Sequence, residues 1–225
     1  DRDTYKVKAI RQFSSVVASA APVELANLVA NSLIEPRSRK SSSYGGMRDR
    51  VFSFADSDYL PASPAQPPFL DLLSASPENG LALVRRLVSS ASEAYSEGTD
   101  PGENGFTLVF DDGPRFFPWT ETYLWSRDQA REYSVASGLK ALEAWSQKRL
   151  DNGEPVDAVV ADILGPEGSC SAYLLVAIDV LLSHFDEGRE ALVPFLACPE
   201  LLAIDKTRAV HDQVGNDLLL FGEKE

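Results

Sequence analysis

At five candidate helix starts a proline stands one or two residues ahead of a carboxylate: Pro22-Val23-Glu24, Pro77-Glu78, Pro155-Val156-Asp157, Pro166-Glu167 and Pro199-Glu200. Proline costs nothing at the first position of an α-helix, because the N–H it lacks has no intrahelical partner there. A carboxylate in the first turn meets the positive end of the helix dipole. A chain that repeats this signal is written as a series of helices with defined starts. The prolines fall at irregular intervals, so the signal is a local stereochemical rule used repeatedly and not a repeat of fixed period.

Apolar spacing agrees. Residues 4–19 place Val7, Ile10, Phe13 or Ser14, and Val17 one helical turn apart, and Leu25, Leu28, Val29 and Leu33 follow Pro22 on one face. Phe69–Leu73 reads as a short helix. Ser76 reads as the N-cap of a helix carrying Leu81, Val84, Leu87 and Val88 to Tyr95. A long helix is expected from Ser126 or Asp128 to about Leu150, ending at Asp151-Asn152-Gly153. Pro155–Leu164, Ser169–His184, Glu187–Ala197 and Pro199 to about Phe221 complete the series, with Ser169 as the expected N-cap of its helix. Residues 35–50, rich in Ser, Gly and Arg, and the prolines 61, 64, 67 and 68 read as connecting segments.

One stretch breaks the helical pattern. Gly105–Phe110 and Arg115–Trp119 flank Asp111-Asp112-Gly113-Pro114 and read as a β-hairpin. Phe106, Phe110, Phe116, Phe117, Trp119, Tyr123 and Trp125 crowd seven of the chain's 21 aromatics into this neighbourhood. Such side chains either cap a core or form a ridge for a partner. The expected fold is therefore mainly α, an antiparallel helical stack with one inserted β-hairpin. Paired helices with apolar stripes and short Pro/Gly connections, above all from Leu139 to Asp205, resemble degenerate HEAT or armadillo-type repeats. They are also similar to helical regions of large bacterial multidomain proteins, some of which carry an ATP-binding module elsewhere. The resemblance implies a scaffold whose partners are other domains of a parent protein, or another protein.

A 225-residue chain with 44% hydrophobic and 24% charged residues has the make-up of a folded globular protein. It reads as a single helical domain over 1–225. A subdivision into 1–100 and 120–225, joined by the hairpin at 105–119, is the alternative. The start at Asp1 suggests a piece excised from a longer chain. The most apolar run, Ala172–Leu182, is interrupted by Asp179 and is too short to span a bilayer. Two cysteines, Cys170 and Cys198, make no disulfide framework and point to a reducing, cytoplasmic setting.

The net charge of −13 argues against a dedicated nucleic-acid binder, since affinity for phosphate backbones needs clustered cations. The charge is uneven. Residues 1–50 carry nine cations and five acids, a net +4, and residues 51–225 carry 12 and 29, a net −17. The cations concentrate at Arg37, Arg39, Lys40, Arg48 and Arg50. Such a run reads first as a solvated loop that pairs with the acidic remainder, and otherwise as the place where nucleotide, nucleic acid or an acidic protein surface would be met. With Phe116, Phe117 and Trp119 of the hairpin, these residues are the candidate interaction sites.

Catalytic chemistry finds little footing. Ser183, His184 and Asp186 are neighbours in sequence, whereas a triad converges from separate segments. Cys170, His184, Cys198 and His211 lie more than ten residues apart, without the close pairing of a structural zinc site. Gly165-Pro-Glu-Gly-Ser169 lacks the lysine of a phosphate-binding loop, and Glu167 would oppose an anion. Asp56/Asp58, Asp111/Asp112, Asp157/Asp162 and Asp186/Glu187 are pairs that turns and helix starts produce anyway. No cofactor, metal or catalytic residue is expected. A hydrolase cleft built from Asp/Glu and His184 is the alternative reading.

Overall fold

The computed structural model describes residues 13–34, 62–96, 100, 102, 104–127 and 133–206. The protein is mainly α, with helices packed on one another over long sequence separations and one antiparallel two-stranded hairpin. The helices are α1 (13–20), α2 (Pro22–Leu33), α3 (Phe69–Ala75), α4 (Pro77–Tyr95), α5 (Tyr133–Asp151), α6 (Val156–Leu164), α7 (Ala172–Ser183), α8 (Phe185–Gly188), α9 (Val193–Leu196) and α10 (199–206). Strands β1 (Gly105–Phe110) and β2 (Gly113–Pro118) fall between α4 and α5.

α2 packs on α3 and α4, these pack on α5, α5 packs on α6 and α7, and α7 on α8. The result is a generic helical-repeat-like arrangement with α5 at its centre. Buried residues from Ala18 to Leu201 form one apolar cluster. α4 shows how the pattern builds it: Leu81, Val84, Leu87, Val88 and Ala91, three or four apart, are all buried. α7 is buried nearly all round, with Leu174, Leu175, Val176, Ala177, Val180 and Leu181 fully enclosed. Among the described residues no helix is long and apolar enough to cross a membrane.

Proline opens α2 and α4 at the first helical position, as the sequence predicts. Pro155 stands at the N-cap of α6. Pro166-Glu167 starts no helix. Gly165 (φ 70) and Gly168 (φ 83) turn the chain through the left-handed region on either side, and α7 begins only at Ala172. Ser169 is not its cap, because its hydroxyl donates to the Pro166 carbonyl at 2.7 Å. Ser76 does hold the N-cap position of α4, yet its hydroxyl accepts from the Asn79 side-chain amide at 2.8 Å and makes no bond to a helix N–H. The expected helix Glu187–Ala197 is two short ones. Pro194 has no N–H for the residue four back, and a continuous helix would press its ring against that carbonyl.

The hairpin is tighter than the four-residue turn expected. β2 starts at Gly113, and Phe110 pairs with Gly113 across Asp111-Asp112. Gly113 supplies the positive φ (129°) that neither aspartate adopts. After Trp119 the chain makes a 3-10 turn at Thr120–Thr122 and further turns to Arg127, where the sequence suggested that the long helix was starting. The expected continuation of the last helix to Phe221 lies outside the described residues.

Candidate functional site

The hairpin sits on the helical array through a joint centred on Trp119. That residue takes a left-handed backbone conformation (φ 61°, ψ 80°), which is costly for a non-glycine residue. Its surroundings explain how it is held. The Trp119 carbonyl accepts from the Ser171 hydroxyl at 2.6 Å and the Thr122 hydroxyl at 3.0 Å, and the two hydroxyls lie 2.9 Å apart. Ser171 N–H donates to the Pro118 carbonyl at 2.9 Å, and Trp119 N–H to the Asn104 carbonyl. A residue at the mouth of α7 is thus bonded to the hairpin's exit, and capping α7 is not its role.

Arg115 of β2 completes the joint. Its guanidinium donates to the carbonyls of Leu164, Gly165 and Pro166 at the end of α6, and stacks over Phe117 at 4.6 Å. Arg85 of α4 donates to the Asp162 carbonyl in the same place. Helix C-termini carry unpaired carbonyls and partial negative charge, so two arginines there satisfy both. Tyr123, fully buried, donates through its hydroxyl to Asp205 at 3.0 Å and ties the hairpin region to α10.

Of the sequence-predicted interaction residues, Phe117 is fully buried and Phe116 and Trp119 are half-buried. Phe110 meets Phe117 edge-on, and meets Phe195 of α9 nearly perpendicular at 6.2 Å. Arg37, Arg39, Lys40, Arg48 and Arg50 lie outside the described residues.

Two further networks join helices. Arg149 stacks over Trp145 at 4.4 Å and pairs with Glu154 and Asp162, both at 2.7 Å. They line a cleft of about 330 Å³ together with Ser74, Pro77 and Lys148. Both carboxylates are held by one guanidinium, so they do not form an acid/base pair with contrasting surroundings. Arg127 bridges Glu143 of α5 and Asp179 of α7. Burial pushes the Glu143 carboxyl above its ordinary range although Arg127 pulls it down, and its Oε2 is enclosed without a hydrogen-bond partner among the described residues.

Among the described residues, the groups weighed for catalysis do not converge. His184 ends α7, with Nε2 3.0 Å from Asp151, and that hydrogen bond raises its pKa. Ser183 donates to the Asp179 carbonyl and not to His184. Cys170 and Cys198 are buried free thiols, and burial pushes both up, away from thiolate chemistry. His211 lies outside the described residues. No group of three or more candidate metal ligands occurs among the described residues.

Sequence reading missed where apolar side chains reach the surface. Phe13, Val16, Val23 and Leu28 are exposed on α1–α2. Leu182, Phe185, Val193, Leu196 and Leu202 are exposed from the end of α7 through α10, and Val109 on β1, which α9 touches. Among the described residues, α3 to α6 expose no large hydrophobic side chain. A helical pattern shows which residues share a face, but not which faces lack a neighbour.

Fold and surface together define the class: a helical array with an inserted hairpin, whose exposed large apolar side chains, among the described residues, stand on α1, α2, β1 and α7 to α10. Comparison with protein-family models, with curated proteins and with solved structures finds no match for the chain.

Proposed function

We propose that the chain is a non-catalytic helical scaffold that engages protein partners through its two end layers, a degenerate counterpart of HEAT and armadillo-type arrays. The carrying observation is that, among the described residues, exposed large apolar side chains are confined to α1–α2 and to β1 and α7–α10. In stacked arrays each layer buries its neighbour's apolar face, so a terminal layer meant for water is polar. End layers that stay apolar are shaped for a further contact. Phe185, 55% exposed, and Leu196, 58% exposed, are the kind of anchors that such contacts use. Two buried, unpaired cysteines support a cytoplasmic setting.

The test is cross-linking in cells with Val16→Glu and Leu196→Lys, each changing one end. Both positions are exposed, so thermal unfolding is expected to stay within about 0.5 kcal/mol of wild type. Each variant is expected to lose a subset of the cross-linked partners. Partner sets identical to wild type for both variants would refute the scaffold reading.

A further inference from the structure

We propose that His184 is a proton-operated latch between the C-terminal ends of α5 and α7, closed as an imidazolium and open as a neutral imidazole. Its Nδ1 lies 3.3 Å from the Val180 carbonyl, and its Nε2 lies 3.0 Å from Asp151 Oδ1. A peptide carbonyl and an ionised carboxylate accept hydrogen bonds and donate none, so both ring nitrogens have to donate. The imidazolium carries a proton on each. A neutral ring sets one nitrogen lone pair against an oxygen lone pair, and one of the two bonds is lost. The latch does not depend on the scaffold reading, although its corner carries two of the exposed apolar residues which that reading uses.

The two helix ends explain why a cation belongs there. α5 finishes on Asp151, and a carboxylate at the negative end of a helix dipole is unfavourable. α7 has no lysine or arginine in its last turn, so His184 at its C-cap answers the unpaired carbonyls. The charges around the ring are mostly acids. α5 presents Asp151, while its cations Lys148 and Arg149 line the cleft beside Trp145, with Arg149 held by Glu154 and Asp162. α8 presents Glu187, with Asp186 beside it, and Arg189 just beyond turns to Glu190. On α7 itself the nearest acid, Asp179, is held by Arg127. α6, also packed on α7, carries Asp157 and Asp162. The Asp151 bond, above all, raises the pKa of the ring against the opposing effect of burial. The corner is tight: Gly188 N–H donates to the His184 carbonyl at 2.8 Å, and a Cβ on Gly188 would stand 2.9 Å from the Leu181 side chain. Leu182 and Phe185 are exposed on either side of the histidine.

A histidine whose folded pKa lies above its unfolded value of about 6.5 stabilises the fold fully below that value, and its contribution is lost as pH rises through the folded pKa. The experiment uses the full 225-residue chain. Its two histidines are titrated by NMR through their ring signals, with His211→Gln assigning His184. His184 is expected to titrate above about 6.5 in wild type, and at lower pH in Asp151→Asn than in wild type. Urea unfolding then compares wild type with Asp151→Asn, a change at a 70% exposed side chain that leaves the core intact. Near pH 6 the substitution is expected to lower the folding equilibrium constant about twofold to fivefold, the range of an exposed ion pair. Near pH 9 the loss is expected to vanish or reverse, because the carboxylate then only opposes the dipole of α5. In a His184→Gln background the effect of Asp151→Asn is expected to be the same at both pH values. A His184 that titrates at or below its ordinary value, a midpoint that Asp151→Asn does not move, or equal Asp151→Asn losses at the two pH values each overturns the proposal.

Discussion

Replacing Arg127 by Gln tests whether one guanidinium holds α5 against α7. Arg127 contacts Glu143 Oε1 at 3.3 Å and also bonds Asp179, whereas the second Glu143 oxygen is buried and unpaired among the described residues. Hydrogen bonds to charged partners contribute about 1.5–3 kcal/mol each when shielded. Arg127 is 41% exposed, whereas the carboxylates are 15% and 17% exposed, so water replaces part of the loss. A total of about 1–2 kcal/mol at neutral pH follows for the pair of contacts after that discount.

The pH dependence separates this account from a simple loss of packing. Glu143 already has a raised folded pKa, from burial first and from Asp179, opposed by Arg127 and Lys140. Removing Arg127 deletes the chief downward pull and raises it further. A carboxyl whose folded pKa exceeds its unfolded value of about 4.3 favours the folded state at acid pH, and that contribution is lost as pH rises through the folded pKa. The deficit of Arg127→Gln is therefore expected to be small near pH 4 and to grow to its full size towards pH 7. Urea unfolding followed by circular dichroism at steps between those values measures it. Adding Glu143→Gln to Arg127→Gln is expected to flatten the profile. A deficit that is constant with pH, or largest in acid, refutes the reasoning.

Two other substitutions probe the joints. A Cβ on Gly80 would stand 2.7 Å from the Leu73 backbone, so Gly80→Ala is expected to force α3 and α4 apart at a cost of about 1–3 kcal/mol in urea midpoint analysis, despite alanine's better helix propensity. Ser171→Ala removes the hydroxyl bonded to the Trp119 carbonyl and Thr122. It is expected to cost about 1–2 kcal/mol and to alter the near-ultraviolet signal of Trp119, with far-ultraviolet helicity unchanged.

Helix existence was legible because it rests on local rules. Pro22 and Pro77 mark first helical positions wherever they are read, and the Asp151-Asn152-Gly153 stop holds because Gly153 takes a φ of 80°. The errors occur where a side chain chose a distant partner over a local one. Ser171 bonds the hairpin's exit 52 residues away, and no local rule marks that choice. Pro166-Glu167 looks like a helix start until the two glycines beside it are seen to carry the chain through positive φ. The candidate faces were less legible still. Val16 and Val17 are adjacent valines on one helix, one exposed and the other packed on the core, and a helical pattern alone does not separate them.

Asp179 shows what a single unexpected residue implies in such an array. It interrupts the most apolar stretch of the chain, and as a lone carboxylate at half-burial it would oppose folding. The structure gives it Arg127, brought by the turns that follow the hairpin. The hairpin is thus more than a ridge set on the helices, because the segment leaving it supplies the cation that lets α7 keep its carboxylate beside α5. Ser171 fastens the start of that segment at the other end of α7, and Arg115 fastens β2 to the end of α6. Among the described residues these fastenings lie between α4 and α7, whereas the exposed large apolar side chains stand on α1, α2, β1 and α7 to α10.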